Sequence, residues 1–203
     1  MKKLISRLYL GLVFIFLYAP IFVLIAYSFN ESKSRAHWTG FSLKWYERLF
    51  QDDDIIKALL ASLLVAVIAS VCATLLGTAA AVGISNMRKL PRSVMINVTY
   101  LPVINPEIVM GVSLMLLFLF FENTFGLMRG MFTVLVAHIT FSLPYVILNV
   151  LPKLRQMDQN LFEAAQDLGC TPMQAFRKVV IPEIMPGIFS GFLMAFTFSL
   201  DDF

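Results

Sequence analysis

The chain has 203 residues, of which 59% are hydrophobic and 14% are charged. A soluble globular domain carries about 25% charged residues, so this composition excludes an ordinary water-soluble enzyme and is typical of a protein that crosses a membrane several times. The formal net charge of +3 is mild, and the placement of the charges along the chain is more informative than their sum.

Five apolar stretches follow one another in the sequence. They cover residues 8–29, 59–85, 94–121, 131–151 and 184 to the end. Each of the first four is long enough to cross a hydrocarbon layer of about 30 Å at about 1.5 Å per helical residue. The first exceeds the apolar core of a signal peptide, so we expect an uncleaved anchor. The pattern predicts an all-α, polytopic membrane protein.

Basic residues are concentrated in alternate connections. Residues 1–7 and the loop 86–93 each contain three basic residues and no acid, and the connection 152–183 contains four basic residues. The loop 30–58 between them has five of each sign. Because lysine and arginine favour the cytoplasmic side, the N-terminus, the 86–93 loop and the 152–183 connection are expected in the cytoplasm.

The connection 152–183 is polar although it lies between two apolar stretches. Asp158 is suited to cap a short helix over residues 159–168. Gly169 is suited to the left-handed conformation that ends such a helix. The connection is therefore expected to begin with a short, well-defined helix.

A second short helix is expected to begin at Thr171 and Pro172, a capping residue followed by proline at the first helical position, and to stop near Pro182. Two helices around a glycine also suggest a DNA-binding helix-turn-helix. The second helix offers only Arg177 and Lys178, however, and phosphate binding needs a broader basic surface. We expect no nucleic-acid partner, and we expect this hairpin to dock into a groove on a soluble protein.

The residue types and spacings of the hairpin resemble the EAA loop of ABC importer permeases. The matching residues are Glu163, Ala164, Ala165, Asp167, Gly169, Val179, Ile181 and Pro182. In that family the loop is a coupling helix that sits in a cleft of the ATPase subunit. The resemblance implies that ATP-driven motion enters the membrane here, with Glu163 supplying a charge for a basic residue of the partner.

The likeness extends over essentially the whole chain. The segments YAPIFVLIAYSFN, GFSLKWYERLF, NPEIVMGVSL, AHITFSLPYV and FTFSLDDF resemble the PotC-type permeases of spermidine/putrescine importers. This implies a type I ABC importer permease fold in a bacterial inner membrane, with one transmembrane domain over 1–203 and the coupling loop 152–183 within it. Such permeases continue beyond the Asp-Asp pair, so we expect five spans here and a sixth missing.

The resemblance also implies a set of partners. They are two copies of an ATP-binding subunit, a homologous PotB-like second permease, an extracytoplasmic polyamine-binding protein and membrane lipid. The chain has no P-loop, no HExxH motif and no triad-like grouping. We therefore expect no catalytic residue, no cofactor and no metal site in it, and ATP hydrolysis in a separate subunit.

Three acidic residues, Glu107, Asp201 and Asp202, lie inside apolar stretches. A charged side chain at the bilayer centre costs about 2.5–3.5 kcal/mol, so it usually faces protein or water. Asp201 and Asp202 are expected to line a path for cations such as polyamines. Glu107 follows Pro106, which interrupts the third stretch. It either lines the same path or stabilises the first turn of the next helix.

Two other features are expected to be structural. His138 is expected to be a hydrogen-bonded packing residue, and Gly187 with Gly191 forms a GxxxG pattern suited to helix packing. For the whole chain, the sequence leaves alternatives to polyamine import open. They are a permease for another small solute and a truncated subunit that does not transport.

Overall fold

The computed structural model describes residues 2–33, 37–105, 107–126 and 130–201. Within these ranges the regular structure is helical, apart from one isolated bridge between Asn30 and Phe41. In chain order the helices are α1 (Lys2–Ser28), α2 (Lys44–Gln51), α3 (Asp53–Ser85), α4 (Lys89–Ile104), α5 (Glu107–Phe125), α6 (Met131–Gln156), α7 (Gln159–Asp167), α8 (Pro172–Ala175) and α9 (Ile181–Asp201), with a π-helical segment, Phe176–Val180, between α8 and α9. The predicted all-α fold is confirmed.

Five helical stretches of the described chain are long and apolar enough to cross a membrane. They are Ser6–Ser28, Asp53–Ser85, Ile108–Phe125, Met131–Gln156 and Pro172–Asp201. They correspond to the five apolar stretches of the sequence. The third stretch is divided between α4 and α5 at the Asn-Pro sequence, as its prolines predict.

The chain forms two compact units, Met1–Leu60 and Ala61–Phe203. In the second unit, α6 packs against α9 through positions that lack a side chain. A Cβ atom added to Gly187 would lie 2.9 Å from the backbone oxygen of Asn149, and one added to Gly191 would lie 3.1 Å from Cα of Val146. Such short separations show that the helix backbones meet closely, so the predicted packing role of the GxxxG pattern is confirmed.

The helix α3 approaches α6 in the same manner. A Cβ atom added to Gly77 would lie 2.7 Å from Cβ of Val146, which is fully buried. Val146 therefore sits between Gly77 of α3 and Gly191 of α9. Small residues at these contacts allow the dispersion contacts that hold helices together in lipid, where the hydrophobic effect does not drive helix association.

The expectation that the second helix of the hairpin stops near Pro182 was wrong. The helix continues from Pro172 through the π-helical segment into α9. The backbone N–H of Ile181 donates to the carbonyl of Phe176, five residues earlier, instead of four. Proline has no backbone N–H to donate, and its ring crowds the carbonyl four residues before it. The wider π-helical turn accommodates both the missing hydrogen bond and the bulk of the ring. The second helix of the hairpin and the last span are thus one continuous helix, Pro172–Asp201.

Candidate functional site: a helical hairpin and a membrane cavity

The first helix of the hairpin is fixed at both ends by the residues expected from the sequence. The side chain of Asp158 accepts a hydrogen bond of 3.0 Å from the backbone N–H of Asn160. Gly169 has φ +88°, in the left-handed region that favours glycine. The helix ends at Asp167, one residue earlier than expected. These local contacts hold α7 in a defined position without a binding partner.

The second helix begins with a reciprocal pair of hydrogen bonds. The side chain of Thr171 accepts from the backbone N–H of Gln174, and the side chain of Gln174 accepts from the backbone N–H of Thr171 at 3.0 Å. This capping box, with Pro172 at the first helical position, satisfies two backbone donors that the helix itself leaves unpaired. Sequence analysis identified Thr171 and Pro172 but missed Gln174, which the Thr-x-x-Gln spacing signals.

One face of the hairpin packs onto the ends of the spans. Ala175 is fully buried. Val180 belongs to the buried hydrophobic cluster, against which Phe162 and Phe176 are partly buried. The cluster also includes Ile184 of α9 and residues near the end of α6. The hairpin is therefore joined to the spans by apolar packing as well as by the continuous helix.

The opposite face of the hairpin leaves apolar side chains exposed. Leu161, Ala164 and Leu168 follow one another at spacings of three and four residues, which places them on one side of α7. All three are exposed, with Leu168 87% accessible, and Met173 at the start of α8 is also exposed. A rigid polar segment that presents such a stripe is typical of a protein-binding surface.

An acidic edge runs beside this apolar stripe. Glu163 and Asp167 are both exposed and lie one helical turn apart on α7. Ala165, which lies between them in the sequence, is partly buried. The structure thus brings together Glu163, Asp167 and the exposed leucines. Sequence analysis did not identify Leu161, Leu168 or Met173, although the helical spacing of two leucines in a polar segment could have indicated them.

Two other residues of the motif act on the backbone. Gly169 is exposed, and a Cβ atom there would meet nothing within 4 Å, so its positive φ alone restricts substitution. Pro182 is exposed at the junction with α9, away from the tip of the hairpin. The motif therefore combines a docking face on α7 with two backbone features, the turn at Gly169 between the two helices and the proline at the junction with α9.

A cavity of about 480 Å³ lies between α4, α5, α6 and α9. Its walls are mainly apolar and aromatic. They include Pro102, Ile108, His138, Phe141, Tyr145 and Phe198. The residues come from four helices, and their sequence did not indicate that they would meet. His138 alone among those named here was singled out beforehand, as a packing residue.

Two contacts join α6 to α9 at the cavity wall. His138 is 6% exposed, and its Nδ1 is hydrogen-bonded to the hydroxyl of Ser199 at 2.8 Å. The rings of Tyr145 and Phe198 stack with centroids 4.2 Å apart. The expected hydrogen-bonded packing role of His138 is confirmed. The aromatic pair was missed because its partners are far apart in the sequence.

The break between α4 and α5 lies at this cavity. Pro102 and Ile108, on either side of the break, both line the cavity, as do residues of α6 from Thr133 to Tyr145. The break therefore borders the membrane cavity. Glu107 is the first residue of α5, as expected, and its side chain lies outside the described part of the structure.

Asp201 is the last described residue of α9, and it is exposed. Thr197, one turn earlier, is also exposed, whereas Ala195 and Ser199 are buried on the opposite side of the helix. The structure therefore does not bring Asp201 together with His138 in the cavity wall. Asp202 lies outside the described residues.

In the described part of the chain, five helices able to span a membrane, two of them joined by the hairpin, define a multi-pass membrane protein. Residues 73–203 match the family of binding-protein-dependent transport system inner membrane components, and the chain belongs to this family. It is a transport permease component of the bacterial inner membrane.

Curated relatives align with nearly the whole chain. The putrescine transport system permease protein PotI of Escherichia coli (strain K12) is 42% identical over 195 residues, which cover 93% of this chain and 68% of PotI. The spermidine/putrescine transport system permease protein PotC of Haemophilus influenzae is 37% identical over 194 residues, 96% of this chain and 74% of that protein. PotC of Escherichia coli (strain K12) is 34% identical over 200 residues. The resemblance to this type of permease is confirmed.

Proposed function

We propose that the chain is a permease subunit of an ATP-driven importer of polyamines, with putrescine and spermidine as its substrates. The observation that carries this proposal is the hairpin, which presents an exposed docking face at one end and is continuous with a membrane span at the other. The choice of solute rests on the relatives, which are named as putrescine and spermidine/putrescine permeases. Since the identity runs over most of the chain, it supports a common substrate class.

The hairpin couples the spans to an ATP-binding subunit. The exposed stripe of Leu161, Ala164 and Leu168 enters an apolar groove of that subunit, and the acidic edge of Glu163 and Asp167 faces basic residues of its rim. Burial of exposed apolar side chains supplies affinity, and the charged edge fixes the orientation. The remaining motif residues shape the hairpin: Ala165 packs inward, Gly169 forms the turn, and Pro182 sets the junction with α9.

The remaining partners complete a transporter. Two copies of the ATP-binding subunit hydrolyse ATP, a homologous second permease completes the path, and an extracytoplasmic binding protein delivers the polyamine. The N-terminus and the hairpin lie in the cytoplasm, because the connections there are the ones rich in lysine and arginine. Both compact units act as one permease domain, 1–203, of which the coupling loop 152–183 is a part.

The solute path is proposed to use Glu107, Asp201 and Asp202. The helix break before Glu107 borders the cavity, and interrupted helices at membrane depth are tolerated where they line a cavity or are buried in protein. Asp201 is exposed together with Thr197 on the side of α9 that faces away from α6. A carboxylate there stabilises the ammonium groups of a polyamine in transit.

Uptake by the complete transporter tests the assignment. Proteoliposomes that contain this chain with the proposed partner subunits should accumulate radiolabelled putrescine and spermidine when ATP is supplied, and should not when this chain is omitted. Uptake of a different small solute with no uptake of polyamines would replace the substrate assignment. A transporter that assembles and hydrolyses ATP but moves no solute would support the non-transporting alternative.

A further inference from the structure

A second pocket, distinct from the membrane cavity, lies in the first compact unit. It has a volume of about 460 Å³ and is formed by the end of α1, the loop that follows and α2. Its lining residues are Leu24, Tyr27, Ser28, Ser32, Lys33, Trp45, Tyr46 and Leu49. The size falls within the range of roughly 300–1,000 Å³ that small-molecule sites occupy.

The walls of this pocket are held by a network centred on Asn30, which is 1% exposed. Its side chain donates to the carbonyl of His37 at 2.8 Å and accepts from the backbone N–H of Thr39 at 2.9 Å. The indole N–H of Trp45 donates to the backbone carbonyl of Asn30, also at 2.8 Å. A buried asparagine with its hydrogen bonds made fixes the loop, so the pocket is a formed feature of the unit.

A second set of contacts holds α2 against the end of α1. Tyr46 is hydrogen-bonded to the hydroxyl of Ser28 at 2.8 Å, and its ring stacks on Phe29 with centroids 5.3 Å apart. The bridge between Asn30 and Phe41 closes the loop between the two helices. Since Ser28 ends α1 and Tyr46 lies in α2, the pocket wall is continuous from the span to the second helix.

The pocket lies at the surface of the bilayer. The span Ser6–Ser28 has 23 residues and therefore extends about 34 Å, slightly more than the hydrocarbon layer of about 30 Å. Its last residues, Leu24 to Ser28, are thus at the boundary between acyl chains and headgroups. Tyrosine and tryptophan side chains, which line this pocket, are enriched at that depth.

The helix α2 has the form of a helix that lies on a membrane. Successive residues place Trp45, Tyr46, Leu49 and Phe50 on one side and Lys44, Glu47, Arg48 and Gln51 on the other. Phe50 and, in the loop before the helix, Phe41 remain largely exposed. An amphipathic helix with exposed aromatic residues next to a span is typical of an interfacial helix.

The chemistry of the pocket favours an anionic, amphipathic ligand. Lys33 is exposed at the pocket and supplies an ammonium group, while none of the described lining residues is acidic. The guanidinium of Arg48 lies 5.3 Å from the centre of the Trp45 ring and adds positive charge nearby. Leu24 and Leu49 provide apolar surface beside these charges. Since the one charged side chain among the described lining residues is basic, the pocket favours an anion over a cationic polyamine.

We propose that this pocket binds the phosphate and glycerol portion of a phospholipid from the leaflet in which α1 ends. Lys33 pairs with the phosphate, the rings of Tyr27 and Trp45 contact the glycerol region, and Leu24 and Leu49 contact the first part of the acyl chains. The bound lipid fills the space between α1 and α2 and fastens the loop to the membrane.

Lipid retention by the complete transporter tests this proposal. The purified complex is delipidated, offered phosphatidylglycerol in detergent, and weighed by native mass spectrometry. Lys33→Gln should lower the retained phosphatidylglycerol about fivefold. The matched control is Lys44→Gln, which removes the same charge from the polar side of α2 and should leave retention unchanged. Equal retention by the wild type and Lys33→Gln would overturn the proposal, as would equal losses in both variants.

A second arm identifies the ligand and its position. Photoactivatable phosphatidylglycerol should label peptides that contain Tyr27 or Trp45, and Leu49→Glu should reduce this labelling because it places a carboxylate in the pocket wall. Glycerol phosphate should bind far more weakly, since it lacks the acyl chains. Equal binding of glycerol phosphate, displacement of the lipid by putrescine, or labelling confined to other peptides would each contradict the assignment.

Discussion

The two sides of α6 are packed very differently. One side meets α9 and α3 at glycine positions, where helix backbones approach within contact distance of Val146. The other side faces the cavity, and the most apolar window of α5, which borders that cavity, has no buried residue. The tight side joins α6 to α9, the two helices that carry the hairpin, and also to α3. A rigid connection is therefore available for transmitting motion, while the open side leaves room for a solute.

The largest expected effect concerns the proposed solute path. In the double variant Asp201→Asn, Asp202→Asn, polyamine uptake should fall at least about 100-fold, because a desolvated ammonium loses its partner, which costs about 3–5 kcal/mol. Subunit association, measured by co-purification, should be unchanged. Normal uptake would show that these residues do not contribute to the solute path. Loss of co-purification would show instead that they pair with a basic group of the second permease.

A substitution of Glu107 tests the second acidic position of the proposed solute path. If it contributes a charge to the path, Glu107→Gln should reduce uptake without altering the thermal stability of the complex. If it only stabilises the first turn of α5, the variant should lose about 0.3–1 kcal/mol of stability and retain uptake. Uptake and melting temperature measured on the same preparation separate the two roles.

The tightly packed contact between α6 and α9 is tested by adding a methyl group at one of its glycine positions. Gly187→Ala should destabilise the complex by about 1–3 kcal/mol, because the added methyl would lie 2.9 Å from the backbone oxygen of Asn149. The control is Gly83→Ala, where nothing lies within 4 Å of the added atom. That change should be neutral or stabilising, since alanine favours a helix over glycine. Equal melting temperatures for the two variants would contradict the packing argument.

Substitution of Gly169 in the turn of the hairpin should have a smaller effect, and its size should depend on the residue introduced. Because a Cβ atom at Gly169 meets open space, substitution there is limited by its positive φ and costs about 1–2 kcal/mol. Asparagine tolerates this conformation better than valine does. Substrate-stimulated ATP hydrolysis should therefore fall less in Gly169→Asn than in Gly169→Val. The reverse order would indicate that the side chain at this position clashes with the partner.

Much of the hairpin was predictable because its signals are local. Asp158, Gly169, Thr171 and Pro172 act on backbone groups within a few residues of themselves, and the spans follow from hydropathy alone. The stop predicted at Pro182 failed for a local reason too, since proline normally ends an α-helix. The widened turn that absorbs it depends on how Val180 and Ile184 pack, which the sequence does not display.

The cavity could not be predicted in the same way. The contact between Tyr145 and Phe198 joins residues on two different helices, and nothing in the apolar sequence of either helix distinguishes them from other aromatic residues. The approach of Gly77 to Val146 is equally non-local. Membrane spans are apolar on all sides, so periodicity does not reveal which side packs and which side remains open.

The most direct test of the account is the coupling of ATP hydrolysis to uptake after a charge is placed on the docking face. Leu168→Asp should abolish both putrescine uptake and putrescine-stimulated ATP hydrolysis in proteoliposomes of the complete transporter. Leu90→Asp, which alters a comparably exposed leucine (83% against 87%) outside the hairpin, should preserve both. If Leu168→Asp retains coupled uptake and hydrolysis at the level of Leu90→Asp, the hairpin is not where ATP-driven motion enters the membrane.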